Sequence, residues 1–96
     1  MALLDLLGRR WALRILWELR DGASLRFRPL QARCGGISSS VLNDRLRELR
    51  EARIVEVGDG DGYSLTPDGR ELLQILAPLD RWAKGWAERL DETAPT

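Results

Sequence analysis

The sequence predicts a mainly α-helical domain with one small two-stranded β-hairpin placed just before its last helix. Three observations carry this reading. Apolar residues recur at steps of three and four through several separate segments, and a β-branched run, a turn dense in Gly and Asp, and a short Tyr-Ser-Leu follow one another between Ile54 and Leu65. The third is size: 96 residues make a single domain, spanning 1–96, whose own core is small enough for a partner subunit to add appreciably to stability.

In the first segment Leu3, Leu4, Leu7, Trp11, Ile15, Leu16 and Leu19 fall on one helical face, with Gly8 able to divide the helix and Asp21-Gly22 ending it near Arg20. A short second helix covers Phe27 to Cys34; Pro29 lies in its first turn, where a missing N–H costs little, and Gly35-Gly36 stops it. Ser38 is a natural N-cap for a third helix that reaches Ala52 with Leu42, Leu46 and Leu49 along one face. Ile54-Val55-Glu56-Val57 reads as a strand, Gly58–Gly62 as a turn and Tyr63-Ser64-Leu65 as the antiparallel return. Thr66 then caps a last helix, Pro67 takes its first position, and Asp68 and Glu71 suit the positive end of its dipole. This helix is expected to run to about Leu90 and to bend near Ala77, because Pro78 has no N–H to give; Asp91–Thr96 reads as a frayed polar tail.

Composition narrows the function. There is no His and one Cys, so a His/Cys zinc site, an internal disulfide and a His-assisted nucleophile are all excluded. No carboxylate pair stands isolated among apolar residues, so the chain reads as a non-enzyme with no metal and no cofactor. Ala2–Leu7 is interrupted by Asp5, broken by Gly8-Arg9-Arg10, and too short for a signal peptide or membrane span; a soluble, cytoplasmic protein with no membrane partner is expected. Cys34 reads as a small buried hydrophobe. A redox role would need a thiolate of lowered pKa, and only Arg33 stands beside it in sequence.

The order helix, short helix, Gly-Gly turn, Ser-capped helix, hairpin, long helix is that of a winged helix-turn-helix, in which the third helix enters the major groove of double-stranded DNA and the hairpin is the wing. Charge agrees: 15 basic and 15 acidic residues cancel overall, yet the chain through Arg53 carries +5 and the remainder −5. On a helical wheel Ser39, Ser40, Asn43, Arg47 and Arg50 lie away from the leucine face. The first four are assigned to base reading, and Arg26, Arg28, Ser38 and Arg50 to phosphate, with Arg9 and Arg10 as lesser phosphate contacts. The plain alternative is a solvated face, with Arg47 and Glu51 as a surface ion pair. Ser38 reads first as a cap. In the last helix Leu72, Leu76, Leu79, Ala83, Trp86 and Leu90 form a stripe that Ile75 and Trp82 widen beyond what a small core needs. A homodimer interface is therefore assigned to the terminal helices, through Leu3, Leu4, Leu7, Leu72, Leu76, Leu79, Trp82 and Trp86.

Four stretches carry a family resemblance: Leu6-Leu7-Gly8-Arg9-Arg10-Trp11-Ala12-Leu13-Arg14-Ile15-Leu16, then Arg26-Phe27-Arg28-Pro29-Leu30, then Gly36-Ile37-Ser38 through Arg45-Leu46-Arg47-Glu48-Leu49, and Tyr63-Ser64-Leu65-Thr66-Pro67-Asp68-Gly69. The chain resembles the HxlR family of bacterial winged-helix transcription regulators, relatives of the MarR group, from about Leu3 to Trp86. The resemblance implies a homodimer joined by terminal helices, recognition helices at Ser38–Ala52 set in successive major grooves of a pseudo-palindromic operator, Arg26 at phosphate and Phe27 in the core.

This sequence departs from the family pattern in three places. No Cys stands within Met1–Gly8, Arg53 replaces the Gly usual after the recognition helix, and the wing is cut to Gly58–Gly62 with Asp59 and Asp61 in it. Two carboxylates near phosphate repel it, so the wing is not expected to enter the minor groove deeply. Two other readings stand beside the regulator. One is a winged-helix protein-interaction module with little DNA binding, favoured by zero net charge and the acidic wing; the other is a regulator gated by a small-molecule effector of unknown identity, held near Trp11, Trp17 and Trp82.

Overall fold

The computed structural model describes residues 2–93, arranged as α1 (Ala2–Leu7), α2 (Ala12–Glu18), α3 (Phe27–Cys34), α4 (Ser39–Glu51), β1 (Val55–Val57), β2 (Tyr63–Leu65) and α5 (Pro67–Thr93). The first periodic segment is two helices. Gly8 closes α1 by donating its N–H to Leu4 O (2.9 Å), and Trp11 takes φ 77°, a left-handed conformation that costs a bulky residue on the order of 1–3 kcal/mol. α2 ends at Glu18 rather than Arg20, since the Leu19 N–H is shared between Ile15 O and Leu16 O (3.2 Å each) and so tightens the last turn.

Leucine periodicity in α4 translates directly into burial: Leu42, Leu46 and Leu49 are buried and pack with Ile15 and Leu16 of α2, with Leu19 just past its end, and with Leu30 and Cys34 of α3. Ser38 caps α4, its Oγ accepting the Val41 N–H at 3.2 Å. The helix stops at Glu51. Arg53, where a Gly is the easier residue, adopts φ 58°, and the Ile54 N–H returns to Leu49 O (2.9 Å). Ile54 is therefore not part of the strand: its N–H and C=O are both spent on joining α4 to α5, the latter accepting the Thr66 N–H (3.0 Å).

β1 pairs antiparallel with β2 in the register Val55 to Leu65, Glu56 to Ser64 and Val57 to Tyr63. Leu25 adds a third rung that the sequence does not announce, exchanging both backbone hydrogen bonds with Tyr63 (3.0 and 2.7 Å) and so seating the hairpin on the segment before α3. Thr66 ties the last junction together; its Oγ1 donates to Arg53 O (2.6 Å) and accepts the Gly69 N–H (3.0 Å). Gly69 is required there, because a Cβ would collide with Ile54 O. α5 continues through Pro78 and extends three residues past Leu90; Asp91–Thr93, expected to fray, are helical, and the remainder of the expected tail lies outside the described residues.

Candidate nucleic-acid interface

Burying three leucines leaves one flank of α4 in solvent. Ser39, Ser40, Asn43, Arg47 and Arg50 are all exposed on it, so the four assigned base readers do share one surface. Arg47 is held only loosely: its partner is Asp44, at 3.5 Å, not Glu51, and both side chains are at least half exposed, so the pair is worth at most about 1 kcal/mol. Ser38 acts as the helix cap, and its oxygen stands 3.4 Å from Ser40 Oγ. The opposite flank carries a network invisible in sequence. Glu48 binds Arg45 at 2.6 Å and lies 3.5 Å from Arg9, linking the α1–α2 turn to the recognition helix. Arg9, read as a phosphate contact, makes this 3.5 Å pairing with a side chain that is still more than half exposed.

The assigned phosphate arginines converge. Arg26, Arg28 and Arg50 line one open cleft between the start of α3, the end of α4 and the hairpin, together with Phe27, Tyr63 and Asp61. Arg26 has a different first duty: its Nε donates to Gly60 O at 2.8 Å and so pins the tip of the wing. Gly60 takes φ 80° and Asp61 φ 64°, a tight turn closed by Gly58 N–H to Gly62 O (3.0 Å). Asp59 and Asp61 remain exposed on this pinned tip, and Asp61 lines the same cleft as the three arginines.

The assigned dimer residues divide into two groups. Leu7, Leu72 and Leu76 are half-buried and pack on the protomer's own core, whereas Leu3, Leu4, Leu79, Trp82 and Trp86 are exposed, Leu79 by 54%, Trp82 by 57% and Trp86 by 46%. Trp82 and Trp86 stack with ring centroids 5.9 Å apart. Beside this stripe an apolar groove of about 280 Å³ runs between α2 and α5. Trp17 lines it with Leu13, Leu76 and Leu79; Trp11 and Trp82, expected to share such a pocket, do not.

Cys34 is buried at the end of α3. Burial pushes its thiol pKa up, Glu18 adds to the rise, and Arg14 opposes both. Neutral thiol is the unreactive form, so native protein at pH 7.5 is expected to alkylate with iodoacetamide far more slowly than protein unfolded in urea. Equal rates would place the thiol in solvent. Among the described residues no cluster of His, Cys, Asp and Glu could hold a metal ion, and no helix is long and apolar enough to cross a membrane.

A family model for the HxlR-like helix-turn-helix matches residues 6–91, the span that includes both the helix pair α3–α4 and most of the exposed stripe of α5. The chain belongs to the HxlR-like helix-turn-helix family. Its curated relatives are transcriptional regulators: YvaP of Bacillus subtilis is 34% identical over 90 residues, covering 88% of this chain and 82% of the relative, and YodB of the same organism is 32% identical over 90 residues, covering 88% and 80%. Among solved structures, a possible HxlR family transcriptional factor of Thermoplasma volcanium superposes with a TM-score of 0.80 at 28% identity, over 90% of this chain and 82% of that one. Quinone-bound YodB gives 0.79 at 33% identity, over 88% and 93%. The winged helix-turn-helix of this HxlR-like chain, mostly helical with one two-stranded sheet, is therefore the family's own architecture, and it is a helix-turn-helix transcriptional regulator.

Proposed function

We propose that the chain acts in the cytoplasm as a homodimer that binds a pseudo-palindromic operator in double-stranded DNA sequence-specifically, without catalytic activity. The observation that carries this reading is the division of labour on α4: three leucines buried in the core, and Ser39, Ser40, Asn43 and Arg47 exposed together on one flank. Asn matches the paired donor and acceptor of adenine, Arg the two acceptors of guanine, and Ser either a donor or an acceptor. Arg28 and Arg50 hold phosphate from the cleft beside the wing, with Arg26 contributing its remaining N–H groups after it has fixed Gly60. The acidic wing tip does not enter the minor groove deeply.

Dimerisation is supported by Leu79, Trp82 and Trp86, a row of large side chains that the protomer itself does not cover. Two-fold symmetry then repeats the recognition helix one turn of DNA away. Analytical ultracentrifugation of the protein with a duplex carrying a selected site is expected to give two chains per duplex and two protomers per particle without DNA. A single chain on each duplex would contradict the dimeric reading.

A further inference from the structure

Two depressions on the face between α2 and α5 form one continuous groove. The apolar one, of about 280 Å³, and its neighbour, of about 460 Å³, share Trp17, Leu73 and Ala77 as walls and meet along these side chains. On α5 the walls run from Arg70 to Ala83, about 20 Å at the α-helical rise. The two ends differ in chemistry. At one, Leu13 and Leu79 line the groove while about half exposed, and the charges there are already paired: Arg14 Nε with Glu18 at 2.9 Å and Asp80 with Lys84 at 3.3 Å. At the other end stand Arg20 and Arg70. Each donates to a backbone carbonyl, Arg20 Nη1 to Trp17 O (3.0 Å) and Arg70 Nη1 to Leu65 O (3.1 Å), and Arg20 also lies over the Trp17 ring, 4.3 Å from its centroid. A carbonyl is neutral, so these bonds fix the guanidiniums in place without cancelling their charge, and each keeps further N–H donors. The carboxylate that lines this end, Asp21, is a weak counterweight: it lies 3.8 Å from Arg20 with its side chain 91% exposed.

We infer that the groove between α2 and α5 binds a small elongated amphipathic anion, its apolar chain laid along Leu13, Trp17 and Leu79 and its anionic head held at Arg20 and Arg70. Burying methylenes against exposed leucines supplies the affinity, and the two guanidiniums select the sign of the head. A straight-chain carboxylate, taken up as a single free molecule, is the simplest ligand of this class. A cation of the same chain length meets like charge at the arginine end and is disfavoured. The groove shares no residue with the exposed flank of α4, so its occupancy can be measured whatever that flank binds.

The test is isothermal titration calorimetry of the full chain with decanoate and with decyltrimethylammonium, both below micelle formation. Wild type is compared with the double variant Arg20→Gln, Arg70→Gln and with Ala83→Phe, each checked for an intact thermal transition. Wild type is expected to take up one decanoate per chain, about tenfold or more tighter than the cation, the scale of two charge-assisted contacts partly screened by solvent. The double variant narrows that ratio to about twofold or less, through weaker decanoate binding. Ala83→Phe crowds the apolar end and weakens both amphiphiles about tenfold, the loss of about two buried methylenes, with their ratio kept. If the double variant fails to fold, Arg20→Gln alone carries the comparison, with a narrowing of about threefold to fivefold. The inference is overturned by the absence of saturable decanoate binding to wild type, by equal affinity for the two amphiphiles, or by arginine variants that bind as wild type does. Unchanged binding by Ala83→Phe overturns it too, since the chain then lies elsewhere, and uptake of many decanoates per chain without saturation marks detergent-like adsorption in place of a site.

Discussion

Replacing Leu79 and Trp86 together by Asp is expected to give a folded monomer that has lost operator binding. Both side chains are about half exposed in the protomer, and neither belongs to the core built by α2, α3, α4 and the hairpin, so the substitutions spare the fold. In a dimer the same two positions place four carboxylates within an apolar contact, where unpaired charges cannot be tolerated. The DNA consequence follows from geometry. Two recognition helices bind as one particle because the second contact is intramolecular, an advantage on the order of 10²–10⁴ in affinity that a monomer forfeits. Light scattering should report half the wild-type mass, and anisotropy on a selected duplex should show the matching loss. A dimer that survives both substitutions places the interface on another surface, with α1 and its exposed Leu3 and Leu4 the next to change.

The second large effect separates reading from clamping. Arg47→Ala is expected to reduce discrimination between operator and random DNA by about 1–3 kcal/mol, or roughly fivefold to 150-fold, if its guanidinium meets a guanine edge. Arg28→Ala should weaken both duplexes about equally and lower the salt slope by about one unit. The structure makes the contrast a fair one, because neither residue holds the fold: both are exposed, and among the described residues Arg47 forms just one ion pair, a loose contact with Asp44. Equal loss on both sequences for Arg47→Ala would show that it too contacts only the backbone.

Much of this molecule is legible in its sequence, and the reasons differ from element to element. α4 is readable because Leu42, Leu46 and Leu49 lie along one face and Ser38 can cap, so period and cap chemistry agree. The hairpin and the Thr66–Pro67 start of α5 announce themselves through turn formers and capping residues. The α1–α2 break is only half legible: Gly8 hints at it, but no propensity places Trp11 in a left-handed conformation. The contacts that define the site are long-range. Arg26 to Gly60 spans 34 residues and Arg9 to Glu48 spans 39, and nothing in the local pattern of either partner signals the other. An Arg counted as a phosphate contact from sequence can thus be partly engaged within the fold, as Arg26 is through Gly60, while Arg9 keeps only a loose surface pairing with Glu48. The two hydrogen bonds of Gln31 are not legible either, because a lone half-buried amide carries no motif; they arise only when the turn brings Ile37 and Ser39 to it.

The central claim is specific operator binding by this surface, and one titration addresses it most directly. Fluorescence anisotropy would follow the protein on the duplex upstream of its own gene and on a scramble of equal length, each at about 50 and 200 mM salt. Tight binding to the upstream duplex, much weaker on the scramble and reduced roughly a thousandfold or more by the higher salt, is the predicted result for a dimer contacting 6–10 phosphates. No binding to either duplex by folded protein would contradict it, and would favour a winged helix that docks another protein or one that needs a small-molecule effector before it can bind.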